Sequence, residues 1–407
     1  MEETKQKGML QGIRILELTI WQQAPAAGVL FGALGAEVIK IEVPGIGDPA
    51  RGVTGIFGTS QTLKSGRNLY FETMNMNKKS MTLDLKKEKG REVLYKLVKE
   101  CDVFVHNLRQ DVPKRLGADY ETIRKHNAKI IYAAASGYGP DGPDAGRPAL
   151  DPVGLARTGF MTAVGEPGMP PLIIGGGLAD RIGATTLALA ILGALVARER
   201  QGIGQYVETS LVGSMLWAQA LPITQALTLG QQFLKHKRTK AANPLYNYYQ
   251  CKDEQWIMFT CPQSDRNWND LCEALGAMNL VKDERFINAD TRAKNCEQLV
   301  VILDGLFAAK PRSEWVARLI KHKDLIFEPI QAYRDLADDP QAVANRYIVD
   351  IPGPETVRTV GIPITASETP WTMRSAPEYG QDTEDVLLSI GKYSWEQIAQ
   401  FREEGVI

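Results

Sequence analysis

Short apolar runs of strand length alternate with amphipathic stretches through the first 140 residues. Ile13-Arg-Ile-Leu-Glu-Leu18 reads as a strand, and the short apolar helix after it is opened by Pro25 and closed by Gly35. Glu37-Val-Ile-Lys-Ile-Glu42 is the next strand, which completes a βαβ unit with a parallel pair. Residues 81–85 predict a third strand, 90–99 a helix, and 103–107 and 130–134 two further strands with helical pattern between them. This repeated alternation places the chain in the α/β class, with an open, mostly parallel, Rossmann-like sheet covered by helices. Residues 181–200 then predict a buried helix, followed by a turn at Gly202 and Gly204 and by Tyr206-Val-Glu-Thr-Ser210.

The pattern changes after about residue 235. A basic cluster (Lys235, His236, Lys237, Arg238, Lys240) precedes a hairpin-like stretch over 246–261 and amphipathic helices to about residue 320. These predict a second, smaller α+β domain. The segment from residue 348 is rich in Pro and Thr and ends in helical pattern over 383–405.

Charge narrows the partners. Lys and Arg total 47 against 48 Asp and Glu, a net charge of −1, so no global field draws the chain to nucleic acid or an anionic membrane. The first eight residues contain no apolar run of the kind a secretory signal needs. The apolar stretch 182–197 is short for a membrane span, and the uncharged run 211–234 is broken by Ser, Gln and Pro. Five cysteines without a CxxC pair and only four histidines argue against a disulfide framework or structural zinc, and point to the cytoplasm.

Gly137-Tyr-Gly-Pro-Asp-Gly142 fits GxGxxG letter for letter, but Pro140 and Pro143 stop it from opening a helix. The first βα turn, Thr19-Ile-Trp-Gln-Gln-Ala-Pro25, has no glycine, so Glu42 loses its meaning as a ribose-binding acid. No P-loop is present. The basic cluster at 235–240 reads as a solvated surface run, and His106 and His126 lack metal-ligand spacing. Asp180 follows Gly175-Gly-Gly-Leu-Ala179 and precedes the buried helix. It suits an N-cap. At a helix N-terminus its carboxylate would also stay ionised and be a competent nucleophile toward an activated acyl group.

Several blocks together resemble the class III (family III) coenzyme A transferases, the group containing formyl-CoA transferase and carnitine CoA-transferase. They are Leu10-Gln-Gly-Ile-Arg-Ile-Leu-Glu-Leu18, Leu34-Gly-Ala-Glu-Val-Ile-Lys-Ile-Glu42, Asn77-Lys-Lys-Ser-Met-Thr-Leu-Asp-Leu-Lys86, Ser136-Gly-Tyr-Gly139, Ala179-Asp180, Gly202-Ile-Gly-Gln205 and Ala376-Pro-Glu-Tyr-Gly380. The resemblance implies transfer of CoA from an acyl-CoA, such as succinyl-CoA, to a carboxylic acid, with Asp180 as the nucleophile that carries an aspartyl-CoA thioester. No tightly bound cofactor or metal is implied; coenzyme A enters and leaves as substrate and product. CoA-binding positions carry over to Gln22 and its neighbour Gln23, to Leu83, Asp84, Leu85 and Lys86, to Asn107, Leu108 and Arg109, to Arg115, and to Ala149, Leu150, Asp151 and Pro152.

The resemblance also implies an interlocked dimer, with an identical chain or a homologous subunit. Residues 1–225 would form the first part of a large CoA-binding domain, 240–330 the small domain, and 340–407 a segment returning to the large one. The chain departs from formyl-CoA transferases in three places. Val43 and Ala149 stand where those enzymes carry basic residues, so phosphate recognition falls to others such as Arg109 or Lys78. Residues 240–275 contain no glycine, which removes their mobile glycine loop and argues against formate or oxalate. The superfamily's racemases need a histidine where Leu150 stands, and leucine takes no proton. A non-catalytic CoA-binding subunit is the alternative from another class, and Asp180 argues for the enzyme. Trp21, Phe57, Tyr70, Tyr138 and Phe160 hint at a bulky or aromatic acid, as in members acting on benzylsuccinate or phenyllactate.

Overall fold

The computed structural model describes residues 8–232 and 234–407, so the reading of the first residues as lacking a secretory signal lies largely outside it. Six parallel strands form the main sheet: β1 (Arg14–Leu18), β2 (Glu37–Glu42), β3 (Lys78–Thr82), β4 (Val103–His106), β5 (Ile131–Ser136) and β6 (Gln205–Ser210). Their order across the sheet is β3-β2-β1-β4-β5-β6. The chain therefore winds outward one way from β1 and then the other way from β4. Between those two strands the connections from their carboxyl ends diverge into a crevice, the place where open α/β sheets bind ligands.

The third strand begins three residues earlier than its hydrophobicity suggests. Lys78 and Ser80 are buried on it, and each finds a partner across the sheet: Lys78 donates to Glu17 Oε1 two strands away (2.6 Å) and Ser80 to Glu42 Oε1 on the neighbouring strand (2.6 Å). A pattern of apolar letters cannot register a polar face satisfied across the sheet.

One face of the sheet is covered by α1 (Gln23–Ala33) and by a long helix, Leu178–Gln201, which pack on each other. Small buried residues, Ala24 and Ala27 on one and Ala184 and Ala188 on the other, let them approach closely. The long helix extends beyond the apolar run 182–197 at both ends. Among the described residues it is the one helix long and apolar enough to cross a membrane, but Ala184, Leu187, Ile191 and Ala194 pack into the core. On the other face, the helix Glu88–Val98 joins Thr383–Ser389 and Trp395–Glu403 over Leu16, Ile39 and Met81. Both ends of the chain thus contribute to one core.

Two compact units result. The first takes the chain to Met161 with Ile173–Gln231 and Pro340–Ile407; the second takes Thr162–Leu172 and Gln232–Asp339. In the second, Tyr246–Gln250 and Trp256–Thr260 form the antiparallel hairpin and Phe327–Pro329 pairs beside it. Its core is aromatic, with Tyr249 stacked on Phe307 and Trp315 set edge-on to Phe307.

Candidate active site

A cavity of about 630 Å³ opens at the carboxyl ends of β1, β4 and β5, at the point where strand order reverses. The turn from β1 into α1 forms one wall. Trp21 adopts φ 64°, a left-handed conformation that a bulky residue holds only under constraint. Two side chains supply it. Asn107, just past β4, accepts the N–H of Ile20 (2.9 Å) and donates to its carbonyl (2.7 Å), while Asp48 Oδ1 accepts the N–H of Trp21 (3.1 Å).

Asp48 is in turn held by a fully buried ionic cluster. Lys40 Nζ lies 2.9 Å from Asp48 Oδ2 and 3.7 Å from Glu17 Oε1, and it donates to the Thr19 carbonyl (2.7 Å). Lys78 pairs with the same Glu17 oxygen and with Asn75 Oδ1 (3.0 Å). Burial opposes the charge on both lysines. For Lys40, Asp48 and Glu17 outweigh it and hold the ammonium above its usual range, whereas Lys78 is brought down to about 8. Lys78 is therefore not available to a phosphate. The expectation that it rebuilds phosphate recognition is overturned by its burial on Glu17 and Asn75. Glu42 is likewise engaged, by two Arg51 nitrogens at 2.8 Å.

Opposite this turn runs Gly175-Gly176-Gly177. Gln22 Nε2 reaches the carbonyls of Gly176 (3.3 Å) and Gly177 (3.4 Å), and its Oε1 accepts from Tyr70 (3.3 Å). Gly177 has φ 77°, and a Cβ there would sit 1.9 Å from Gln22 Nε2, so both conformation and space demand glycine.

Gly177 caps the long helix, which starts at Leu178. Asp180 is its third residue and not the N-cap that the sequence suggests. The capping group comes from far away in sequence. Asp151, the first residue of the short helix Asp151–Arg157, accepts the Asp180 N–H on Oδ1 (3.1 Å) and also the Ala179 N–H. Asp180 itself is half-buried in the cavity wall. Burial, followed by the neighbouring Asp151, pushes its carboxyl up to about 7, with Arg181 opposing. Desolvation thus wins over the helix-end field that the sequence reading invokes.

Ten of the residues singled out from the sequence line this cavity: Gln22, Gln23, Asn107, Leu108, Arg109, Ala149, Leu150, Asp151, Pro152 and Asp180. Five do not. Leu83 and Leu85 are buried in the core, Asp84 accepts the N–H of the exposed Lys86 (2.9 Å), and Arg115 is an exposed partner of Asp111 (3.2 Å). Of the aromatic residues, Trp21, Phe57 and Tyr70 line it, whereas Tyr138 and Phe160 are not among its walls. Sequence reasoning misses Arg147, which lines the cavity and pairs with Asp144 (2.9 Å), and the supports Asp48 and Lys40. Arg147 lies two residues before Ala149, so its nearness to that stretch is a usable signal; Asp48 and Lys40 carry none. Gly137 to Gly142 forms a loop with no helix after it before Asp151. His106 is buried, which takes it down to about 4, and its Nδ1 accepts the Leu108 N–H (3.2 Å). In the second unit Asp270, Glu273 and His322 bring possible ligand atoms within 4.8 Å of one another, and none of the three lines the cavity.

Comparison with known proteins gives one consistent answer. The sequence model of the family described as CoA-transferase family III matches residues 10–383. A (R)-2-hydroxy-4-methylpentanoate CoA-transferase of Clostridioides difficile is 32% identical over 98% of this chain and 99% of its own. A cinnamoyl-CoA:phenyllactate CoA-transferase of Clostridium sporogenes is 31% identical over 97% of this chain and 96% of its own. Among solved structures, a CAIB/BAIF family protein from Brucella suis superposes with a TM-score of 0.85 at 28% identity, covering 95% of this chain and all of that one.

Proposed function

The chain belongs to CoA-transferase family III and is an enzyme that transfers CoA between acids, and from that premise we propose that Asp180 carries the CoA as an aspartyl thioester. The Asp180 carboxylate attacks the carbonyl of a donor acyl-CoA, succinyl-CoA being the first to try, and forms a mixed anhydride with release of CoA thiolate. The thiolate then attacks the aspartyl carbonyl. The donor acid leaves with one Asp180 oxygen, and the acceptor acid repeats these steps in reverse.

Supporting this reading is the placement of Asp180 on a cavity at the switch point, with a carboxyl poised near neutrality. A buried carboxylate of raised basicity is a stronger nucleophile than a solvated one and is still ionised in good part at pH 7. Gln22 and the glycine loop close around it, and the apolar wall restricts water, which would hydrolyse the anhydride.

We place the acceptor's side chain against Trp21, Ile56, Phe57, Tyr70 and Met74, which suits a bulky or aromatic acid. The relatives named for 2-hydroxy-4-methylpentanoate and phenyllactate point the same way. CoA would enter along Asn107, Leu108, Arg109, Ala149, Leu150 and Pro152, with Arg109 and Arg147 near its phosphates. Lys86 and Arg115 would be outer contacts, on the strand end and helix shaped by Leu83, Asp84 and Leu85. The working form is proposed to be an interlocked dimer in the cytoplasm, its large domain formed by both chain ends. Trp217 (78% exposed), Leu221 (81%) and Leu227 (81%) offer apolar surface for a second subunit.

The test is Asp180→Ala. It should abolish transfer while an acyl-CoA still binds with affinity within a few fold of the parent; undiminished turnover would refute the assignment.

A further inference from the structure

Asp151 is placed differently from a ligand-binding side chain. It is buried, and its carboxylate is turned onto the first peptide groups of the nucleophile's helix, accepting from the N–H of Asp180 at 3.1 Å and from that of Ala179. The N-cap itself, Gly177, brings no side chain to those groups. The helix carrying Asp151 is fixed on the long helix at its next turn, where a Cβ on Gly154 would lie 3.0 Å from that of Ala179 and 3.1 Å from that of Leu211. The Asp151 carboxylate therefore cannot move away from the Asp180 backbone without dislodging two packed helices.

We infer that Asp151 is a positioning residue with an electrostatic effect on the reaction. It holds the Asp180 backbone and, as a fixed anion beside it, destabilises the free Asp180 carboxylate relative to the acylated enzyme. This rests on the reading of Asp180 as the nucleophile. In the exchange, the donor's acyl–sulfur bond breaks and a bond between sulfur and the Asp180 carbonyl carbon forms. The negative charge of Asp180 departs with the released acid. Two carboxylates face each other only before the exchange; the Asp180 carbonyl is neutral in the anhydride and in the thioester, so the repulsion is lost on acylation. Burial lifts the Asp151 carboxyl above its usual range, while the N–H groups of Asp180 and Ala179 oppose that rise and favour the carboxylate, which takes no part in the exchange.

The other groups around Asp180 do not substitute for this. Arg181 follows it and acts in the opposite sense, and Tyr70 from the helix Leu69–Asn75 stands nearby as a neutral phenol whose ionisation burial pushes up to about 12. Arg157, at the far end of the Asp151 helix, pairs with Asp144 (3.0 Å). The other helices packed on the long helix, Gln23–Ala33 and Leu211–Ala218, contain no ionisable side chain. On the adjoining strands, Tyr132, Tyr206 and Glu208 interact among themselves.

Asp151→Asn separates charge from shape, since its amide oxygen replaces the oxygen that accepts the Asp180 N–H. Asp151→Ser, a second uncharged capping side chain, guards against a folding defect of either variant. Each protein is equilibrated with a fixed mixture of an acyl-CoA and its free acid at about pH 8, and intact-mass measurement reads the ratio of thioester to free enzyme. Folding is checked by the thermal midpoint. The uncharged variants should lower that ratio roughly tenfold, about one pKa unit of lost repulsion, and move the acid limb of kcat/KM to lower pH. A ratio and a limb equal to the parent's would show a purely structural cap and overturn the inference. A parent enzyme that never acquires the thioester overturns the assignment of Asp180 first, and this inference with it.

Discussion

Two strand ends on the same side of the sheet are treated differently. At the carboxyl ends of β1 and β4 the chain turns aside, and Asn107, Asp48 and the Lys40 cluster hold the walls of a cavity apart. At the carboxyl end of β3 the same kind of strand runs into a sealed core. Leu83 and Leu85 are buried, the Leu83 N–H bonds the Glu42 carbonyl (2.9 Å), and the Asp84 N–H bonds the carbonyl of Val406 at the far end of the chain (2.8 Å). A Cβ on Gly90 would lie 2.0 Å from the Asp84 carbonyl, so the next helix also seals this end. Both places carry sequence blocks that resemble the same family. The order of strands makes only one of them a crevice.

The largest effect separating the two is expected from Asp180→Ala, which should lower turnover by roughly 10³-fold or more by removing the group that makes the covalent bond, read in a CoA-transfer assay. Next is Lys40→Met. It leaves Asp48 buried without its cation and Glu17 with Lys78 alone, and should cost about 3–5 kcal/mol in denaturant unfolding. Leu85→Ala at the sealed end should cost about 2–5 kcal/mol with an unchanged KM for acyl-CoA. A raised KM there would break the contrast. Asn107→Ala should cost about 1–3 kcal/mol and raise that KM, because the Ile20–Trp21 turn loses its clamp.

The pH dependence sharpens the contrast further. Asp180 is raised to about 7 and its ionised form is the nucleophile, so kcat/KM should climb as pH rises toward 7 and level off above it. A flat profile from pH 5 to 8 would mean that burial does not govern this carboxyl. The smallest effect is expected for Arg115→Ala, an exposed ion pair, which should leave the thermal midpoint unchanged and raise KM at most a few fold.

Much of this is legible in the sequence. The alternation of strands and helices, the failure of Gly137–Gly142 as a dinucleotide loop, and a buried helix beginning beside Asp180 all follow from local pattern. What escapes is long-range. The start of β3 is missed because Lys78 and Ser80 look like surface letters until Glu17 and Glu42 are brought beside them. Asp180 reads as its own cap because nothing near it in sequence shows that Asp151, 29 residues earlier, takes that place. Arg147 escapes because an arginine in a loop rich in Gly and Pro reads as solvated until the fold turns it toward a cavity.

Intact-protein mass spectrometry of the full chain mixed with a panel of acyl-CoAs tests the central claim most directly. The account predicts a CoA-sized adduct that maps to Asp180, is discharged by hydroxylamine and is absent from Asp180→Ala. Turnover with no such adduct, or an adduct on any other residue, would contradict it.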